Sequence, residues 1–161
     1  YFPDKQIQDE IARKLDEFEA SMDFTPYPGV LDFILDLKKE GIKTAIATSS
    51  NRPKFSHLKT KCPEFVALFD RILTAEDFSA SKPDPDCYLK AAAALGCTKD
   101  ECAVFEDAFT GLQAGMASGM LTIGLTTTNS REAIEGKCHF ILDSWVGFTT
   151  DSLRKLLRSA L

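Results

Sequence analysis

Several features of membrane, exported and zinc-binding proteins are absent from this sequence. No apolar run approaches the roughly 18 residues that a membrane span requires, and no signal-peptide pattern opens the chain. Its five cysteines include no C-x-x-C pair, which argues against a zinc site. The odd number and the spacing of these cysteines indicate reduced thiols, and we expect a soluble cytoplasmic protein.

An excess of basic charge, internal repeats and low-complexity tracts are also lacking. The 161 residues include 19 Lys and Arg against 24 Asp and Glu, a formal net charge of -5. This balance argues against nucleic acid and against an anionic membrane as partners. The length is enough for one domain with a buried core and too short for two ordinary domains.

Helix and strand patterns alternate along the whole chain. The first helical pattern covers residues 4–22 and ends at the prolines of TPYPGV. Its apolar side chains recur at steps of three and four, namely Ile7, Ile11, Leu15, Phe18 and Met22. A second helix leads into the strand pattern IKTAIATSS, and further strand patterns are RILTA, CAVFED, LTIGL and HFILD. The alternation predicts an α/β fold with a mostly parallel sheet.

Polar residues follow three of these strand patterns. The first strand ends in Thr48-Ser49-Ser50, the third ends in Glu106-Asp107, and Lys82 lies in the loop SASKPDPDCY after the second. In an open parallel sheet, ligands bind beyond the carboxyl ends of the strands. Hydroxyls at a helix start accept phosphate, lysine neutralises its charge, and paired carboxylates hold a divalent cation. The order of these residues therefore indicates a phosphate and metal site.

Each of these segments also has a structural explanation. Hydroxyl residues before a helix are commonly caps, and Asp107 has the position of a cap for the helix that follows it. Lysine before proline is commonly solvated surface. The site is favoured by the three segments together and not by any one of them.

The motifs AIATSSN, SKPDPDCYLKAA and VFEDAFTGLQAGMASGM resemble the second, third and fourth motifs of the haloacid dehalogenase-like hydrolases. The resemblance covers residues 26–145 and is greatest to the β-phosphoglucomutase and sugar-phosphate phosphatase branch. It implies a Rossmann-like three-layer core. It further implies that Thr48 binds the transferring phosphoryl group with Ser49 beside it, and that Lys82 steadies the nucleophile and the phosphate. Glu106 and Asp107 would hold Mg²⁺.

The resemblance also implies a part that this chain does not contain. The family's attacking aspartate, and the aspartate that serves as its acid and base, lie in an Asp-x-Asp motif on a first, central strand. No strand pattern precedes residues 4–22, and the one Asp-x-Asp, residues 84–86, lies in the Lys82 loop. Residues 1–24 would then be the remnant of a helical cap domain, and residues 25–161 a core lacking its first strand. We expect that the protein is longer, that a partner chain supplies the strand, or that the sheet rearranges.

The function implied by the resemblance is that of a magnesium-dependent phosphatase for a small phosphorylated metabolite, such as a sugar phosphate. The reaction would pass through an aspartyl-phosphate whose aspartate lies outside this chain. A phosphosugar mutase of the β-phosphoglucomutase type is an alternative at the same site. A catalytically inactive fragment or pseudoenzyme that binds phosphate or a partner chain is an alternative of another class. A receiver-type signalling domain shares the α/β alternation but gives no reason for the segment SKPDPD.

Overall fold

The computed structural model describes residues 4–21 and 24–160, and within these ranges helices alternate with strands. The helices are α1 (Lys5–Ser21), α2 (Val30–Lys39), α3 (Arg52–Lys61), α4 (Pro63–Val66), α5 (Asp86–Leu95), α6 (Phe109–Ser118), α7 (Arg131–Ile134) and α8 (Thr150–Ala160). The strands are β1 (Ala45–Ala47), β2 (Arg71–Leu73), β3 (Ala103–Glu106), β4 (Leu121–Leu125) and β5 (Phe140–Leu142). All strand pairs are parallel, so the predicted α/β class is confirmed.

The strands form two sheets where the sequence suggested one. β1 pairs with β2, and β3, β4 and β5 form a second sheet in that order. β1 and β3 are therefore edge strands, each paired on one side among the described residues. This is the arrangement expected when a strand between β1 and β3 is missing. The three expectations, a longer protein, a partner strand or a rearranged sheet, stay open.

Helix α5 joins the two sheets through small and aromatic side chains. Its buried residues Cys87, Tyr88 and Ala92 lie in one cluster with Val104 of β3, and Ala47 of β1 packs against that cluster. The same helix also contacts β2 and α6. Alanines on the buried face allow the helix to approach the strands closely, since they add little side-chain bulk. The two sheets are thus held in place by a shared helix and not by a shared strand.

A second core covers the three-stranded sheet. Phe33, Ile34 and Leu37 of α2 pack with residues of β4 and with Leu153 of α8. The ring of Phe33 lies 5.4 Å from that of Trp145 and 5.0 Å from that of Phe148, measured between centroids. Trp145 therefore belongs to an aromatic cluster in the core, and burial of such rings is a large source of stability.

Helix α1 is formed as predicted, but its apolar stripe is not buried by the rest of the described chain. The exposed fractions are 44% for Ile7, 37% for Ile11, 51% for Leu15 and 65% for Phe18. Met22, the last residue of the predicted stripe, lies outside the described residues. The assignment of residues 1–24 to a cap remnant stays a prediction.

None of the helices in residues 4–21 and 24–160 combines the length and the apolar character that a membrane span needs.

The surroundings of Gly115 show how closely α6 packs on the sheet. A Cβ atom at Gly115 would lie 2.8 Å from Oγ1 and 2.9 Å from Cγ2 of Thr122, a fully buried residue of β4. We expect Gly115→Ala to lower the free energy of unfolding by about 1–3 kcal/mol, because overpacking outweighs the better helix propensity of alanine. Urea unfolding measures this change.

A matched control isolates the propensity effect on the same helix. Ala117 is exposed, so Ala117→Gly should cost only roughly 0.5–1 kcal/mol. Stabilisation by Gly115→Ala would show that α6 and β4 are not in close contact.

Candidate phosphate and metal site

Lys82 lies between the carboxyl ends of the two sheets. Its Nζ is 2.7 Å from Oε2 of Glu106, the last residue of β3, and 3.5 Å from the carbonyl oxygen of Ala47, the last residue of β1. The Lys82 and Glu106 side chains are both only 12% exposed. The structure therefore brings together the predicted lysine and one of the predicted acids, next to the strand that leads into Thr48.

The Glu106 carboxylate is fully engaged. Oε2 accepts hydrogen bonds from Lys82 and from the Tyr88 hydroxyl, the latter at 2.6 Å. Oε1 accepts the backbone N–H groups of Asp107 and Ala108, both at 3.0 Å. A carboxylate has about four lone-pair positions, so these four donors use its whole accepting capacity.

The charge on Glu106 is stabilised although the group is largely buried. Burial opposes ionisation, but the hydrogen bond and the positive charge of Lys82 outweigh it and lower the pKa of the Glu106 carboxyl to about 2. Burial, together with the negative charge of Glu106, raises the pKa of the Tyr88 phenol far above its usual range. Tyr88 therefore stays protonated and donates to an ionised carboxylate.

Gly111 provides the space that Glu106 occupies. A Cβ atom at this position of α6 would lie 2.1 Å from both Cδ and Oε2 of Glu106. Any side chain here would displace the carboxylate from Lys82. Gly111 therefore also shapes the candidate site.

Asp107 is held by the loop that follows β4. Its Oδ2 accepts hydrogen bonds from the hydroxyls of Thr127, at 2.8 Å, and Thr128, and its carbonyl oxygen accepts from the Asn129 side chain at 2.8 Å. The alternative role of Asp107 as a helix cap is not observed, because Ala108 occupies the N-cap of α6. Its Oδ1 accepts no hydrogen bond from the part of the chain that the structure describes.

The predicted hydroxyls line a shallow depression beside β1. The Thr48 N–H donates to the carbonyl of Leu73 at 3.0 Å, and Thr48 Oγ1 accepts the N–H of Ser50 at 3.1 Å. Asn51, not Thr48 or Ser49, caps helix α3. The depression has a volume of about 540 Å³ and is lined by Thr48, Ser49, Ser50, Asn51, Lys54 and Ala75. Within residues 4–21 and 24–160, no hydrogen bond joins Thr48 or Ser49 to Lys82 or Asp107 directly.

The fit of Mg²⁺ to the two predicted acids is unequal. Mg²⁺ is typically bound through one or two carboxylates while it keeps several waters. Asp107 offers Oδ1, whereas Glu106 would have to exchange a present donor for the ion. The described residues include no group of three or more His, Cys, Asp or Glu side chains placed to hold a metal. The residues of this chain therefore fit part of a magnesium site.

Sequence reasoning missed the residues that hold the predicted ones in place. Tyr88 lies within the quoted motif SKPDPDCYLKAA, and Thr127 and Thr128 lie in the loop TTTNS. Their residue types gave no signal of their own. Only the topology shows that the loop after β4 returns to the end of β3.

Comparison with known proteins identifies the family of this chain. The family described as haloacid dehalogenase-like hydrolase matches residues 2–119. The chain is 38% identical over 120 residues to Protein SUPPRESSOR OF QUENCHING 1, chloroplastic, of Arabidopsis thaliana, covering 74% of this chain and 11% of that protein. It is 37% identical over 99 residues to Beta-phosphoglucomutase of Bacillus subtilis, covering 61% and 42%. It is 35% identical over 114 residues to Hexitol phosphatase A of Escherichia coli, covering 70% and 52%.

Solved structures share the fold over nearly the whole chain. A HAD hydrolase of family IA, variant 3, from Entamoeba histolytica has a TM-score of 0.85 at 24% identity, covering 98% of this chain and 73% of that one. CbbY from Rhodobacter sphaeroides, in complex with phosphate, has a TM-score of 0.79 at 26% identity, covering 95% and 70%.

The chain thus spans about half the length, or less, of the curated relatives it matches. The matched segment nevertheless includes Thr48, Lys82, Glu106 and Asp107. This chain belongs to the haloacid dehalogenase-like hydrolase family.

Proposed function

We propose that this chain is the core of a magnesium-dependent phosphatase that acts on a small phosphorylated metabolite, specifically a sugar phosphate. The observation that carries the proposal is the position of Lys82, which contacts the ends of β1 and β3 at once. A cation at this point lies between the hydroxyls that follow β1 and the acids that end β3. The relative named Hexitol phosphatase A supports the substrate class.

The proposed reaction has two steps. An aspartate from outside this chain attacks phosphorus as the bond to the sugar oxygen breaks, and the second aspartate implied by the resemblance would protonate that oxygen. Water then hydrolyses the aspartyl-phosphate and releases phosphate. Thr48 and Ser49 would donate hydrogen bonds to the phosphoryl oxygens, and Lys82 would offset their negative charge. Mg²⁺, held by Asp107 with Glu106 beside it, would neutralise further charge on the phosphoryl group when bound.

The attacking aspartate requires a further strand. The edges of β1 and β3 that face away from β2 and β4 carry backbone groups without strand partners among the described residues. Such groups cost about 1–3 kcal/mol each when they are buried unpaired. We propose that an extended segment, from a longer form of the protein or from a complementing chain, pairs with both edges and carries the aspartate towards Lys82.

Two other functions are compatible with the same residues. A phosphosugar mutase would return the phosphate to a sugar, and the relative named Beta-phosphoglucomutase supports it. A catalytically inactive fragment that binds phosphate or a partner chain would need no aspartate, and the open strand edges favour a role in binding.

We also propose where the protein is located and which kinds of partner it lacks. All five cysteines are free thiols, which supports a cytoplasmic location. The formal net charge of -5 argues against nucleic acid and against an anionic membrane as partners.

The first prediction of the proposed function concerns Lys82. In the longer protein that contains this chain, phosphate release from a panel of sugar phosphates with Mg²⁺ should fall about 100- to 1,000-fold in Lys82→Met, the usual effect of removing a donor to the transition state. Lys99→Met is the matched control, because Lys99 is exposed in the turn before β3. The 161-residue chain alone should release no phosphate. Full activity in Lys82→Met would contradict the proposal.

The second prediction concerns Asp107. Asp107→Asn removes the formal charge but keeps the shape, so the Mg²⁺ concentration for half-maximal activity should rise about tenfold or more, the size of effect that ligand changes have on metal affinity. A Mg²⁺ titration after treatment with a chelator measures it. Asp100→Asn, at an exposed position, should leave the titration unchanged. Equal titrations for the two variants would exclude Asp107 as a metal ligand.

A further inference from the structure

Tyr88 is a buried tyrosine that contacts both members of the central ion pair. We propose that Tyr88 is a positioning residue: its hydroxyl and ring fix Glu106, and through Glu106 they hold Lys82 between the two sheets. The contacts are independent of the reaction, whereas their effect on catalysis rests on the proposed function.

The geometry is specific to the hydroxyl and to the ring. The Tyr88 hydroxyl donates to the same oxygen, Oε2 of Glu106, that accepts from Lys82, at 2.6 Å and 2.7 Å respectively. The Lys82 Nζ also lies 4.8 Å from the centroid of the Tyr88 ring, within the range of a cation–π contact. Tyr88 is only 7% exposed, so water cannot readily replace its hydroxyl. One side chain thus contacts both charges of the pair.

The remaining contacts of Glu106 explain why the hydroxyl matters. The backbone N–H groups of Asp107 and Ala108 hold Oε1, while Gly111 leaves just enough room for the carboxylate against α6. Oε2 is the oxygen that points to Lys82, and Tyr88 is its second donor. Without the hydroxyl, a buried acceptor position is left open, and the carboxylate is no longer fixed on that side.

The consequence for Lys82 follows from its number of donors. An ammonium group has three N–H bonds, of which one is directed to Glu106 and one to the carbonyl of Ala47. The third has no acceptor among the described residues. When the N–H bonds to Glu106 and Ala47 are fixed, the third N–H bond is free to point towards an incoming anionic group. We propose that Tyr88 keeps the ammonium group in this orientation.

A role in core packing alone makes a different prediction. Tyr88 belongs to the apolar cluster with Cys87, Val104 and Met120. Tyr88→Phe keeps the ring and its packing and removes only the hydroxyl. If packing were its whole contribution, this variant would resemble the wild type in every property except a small change in stability.

The test uses Tyr88→Phe in the longer protein that contains this chain, with Tyr27→Phe as the matched control, since Tyr27 is exposed. We expect kcat to fall about tenfold while KM changes less than about twofold, because the lost hydrogen bond orients a group that acts in the transition state. The control should leave both constants unchanged. Unchanged kcat in Tyr88→Phe would overturn an effect on catalysis.

A second measurement separates this inference from the proposed function. The Nζ signal of Lys82, assigned by its loss in Lys82→Met, is followed by NMR in protein with labelled lysines. We expect the signal to shift or broaden in Tyr88→Phe and to be unchanged in Tyr27→Phe. An unchanged signal in Tyr88→Phe would overturn the positioning role even if no substrate is ever found. A shifted signal in a protein without phosphatase activity would support positioning and count against the proposed function.

The variant Glu106→Gln tests whether Tyr88 acts through Glu106. In the Glu106→Gln background, the further change Tyr88→Phe should have less than about a twofold effect on kcat, since coupled residues are not additive. A full tenfold effect in that background would overturn the pathway through Glu106. The comparison is valid only if the single and double variants are folded. Circular dichroism spectra of each variant are the control for folding.

Discussion

The buried ion pair between Lys82 and Glu106 connects two sheets that share no strand. Burying two charges costs several kcal/mol per ion, and attraction repays this only when the remaining hydrogen-bonding positions are filled. Here the Glu106 carboxylate is satisfied by two backbone N–H groups and the Tyr88 hydroxyl, and Lys82 reaches the carbonyl of Ala47. Loss of either charge would leave the other buried without its partner. The ends of β1 and β3 therefore depend on each other at the point where the site is assembled.

Helix α5 makes this connection possible because it serves the core and the site together. Its buried face packs between both sheets, and its first turns carry Tyr88, while the loop that precedes it carries Lys82. Asp84 in that loop accepts the N–H of Asp86 at 2.9 Å, which fixes the entry into the helix. A shift of α5 against the strands would move the lysine and its tyrosine as one unit. Core packing and site geometry are thus determined by the same contacts.

Much of the fold, and the proximity of Lys82 to Glu106 at one edge of the sheets, could be predicted from the sequence. Hydrophobic periodicity predicted the alternation of helices and strands. The strand end at Glu106-Asp107 and the loop with Lys82 after the second strand predicted that these three residues lie at one edge. Periodicity shows which face of an element is buried but not which element covers it, so the exposed stripe of α1 could not be foreseen. For the same reason, the roles of Tyr88 and Thr127 could not be predicted. Their partners are distant in sequence, at Glu106 and Asp107, and are chosen only by the packing of α5 and the loop after β4.

The formal charges at this edge bear on which ligands the proposed site could bind. Lys82 contributes one positive charge against the two negative charges of Glu106 and Asp107, and Lys54 lies on the same edge in the depression beside β1. The Asp107 carboxylate would repel a phosphate dianion, and a carboxylate on an incoming strand would add to this repulsion. In the proposed function, a divalent cation beside Asp107 would offset this repulsion for both anions. The third N–H bond of Lys82 would then have an acceptor in either anion, so in the proposed function the cation and the further strand would depend on each other.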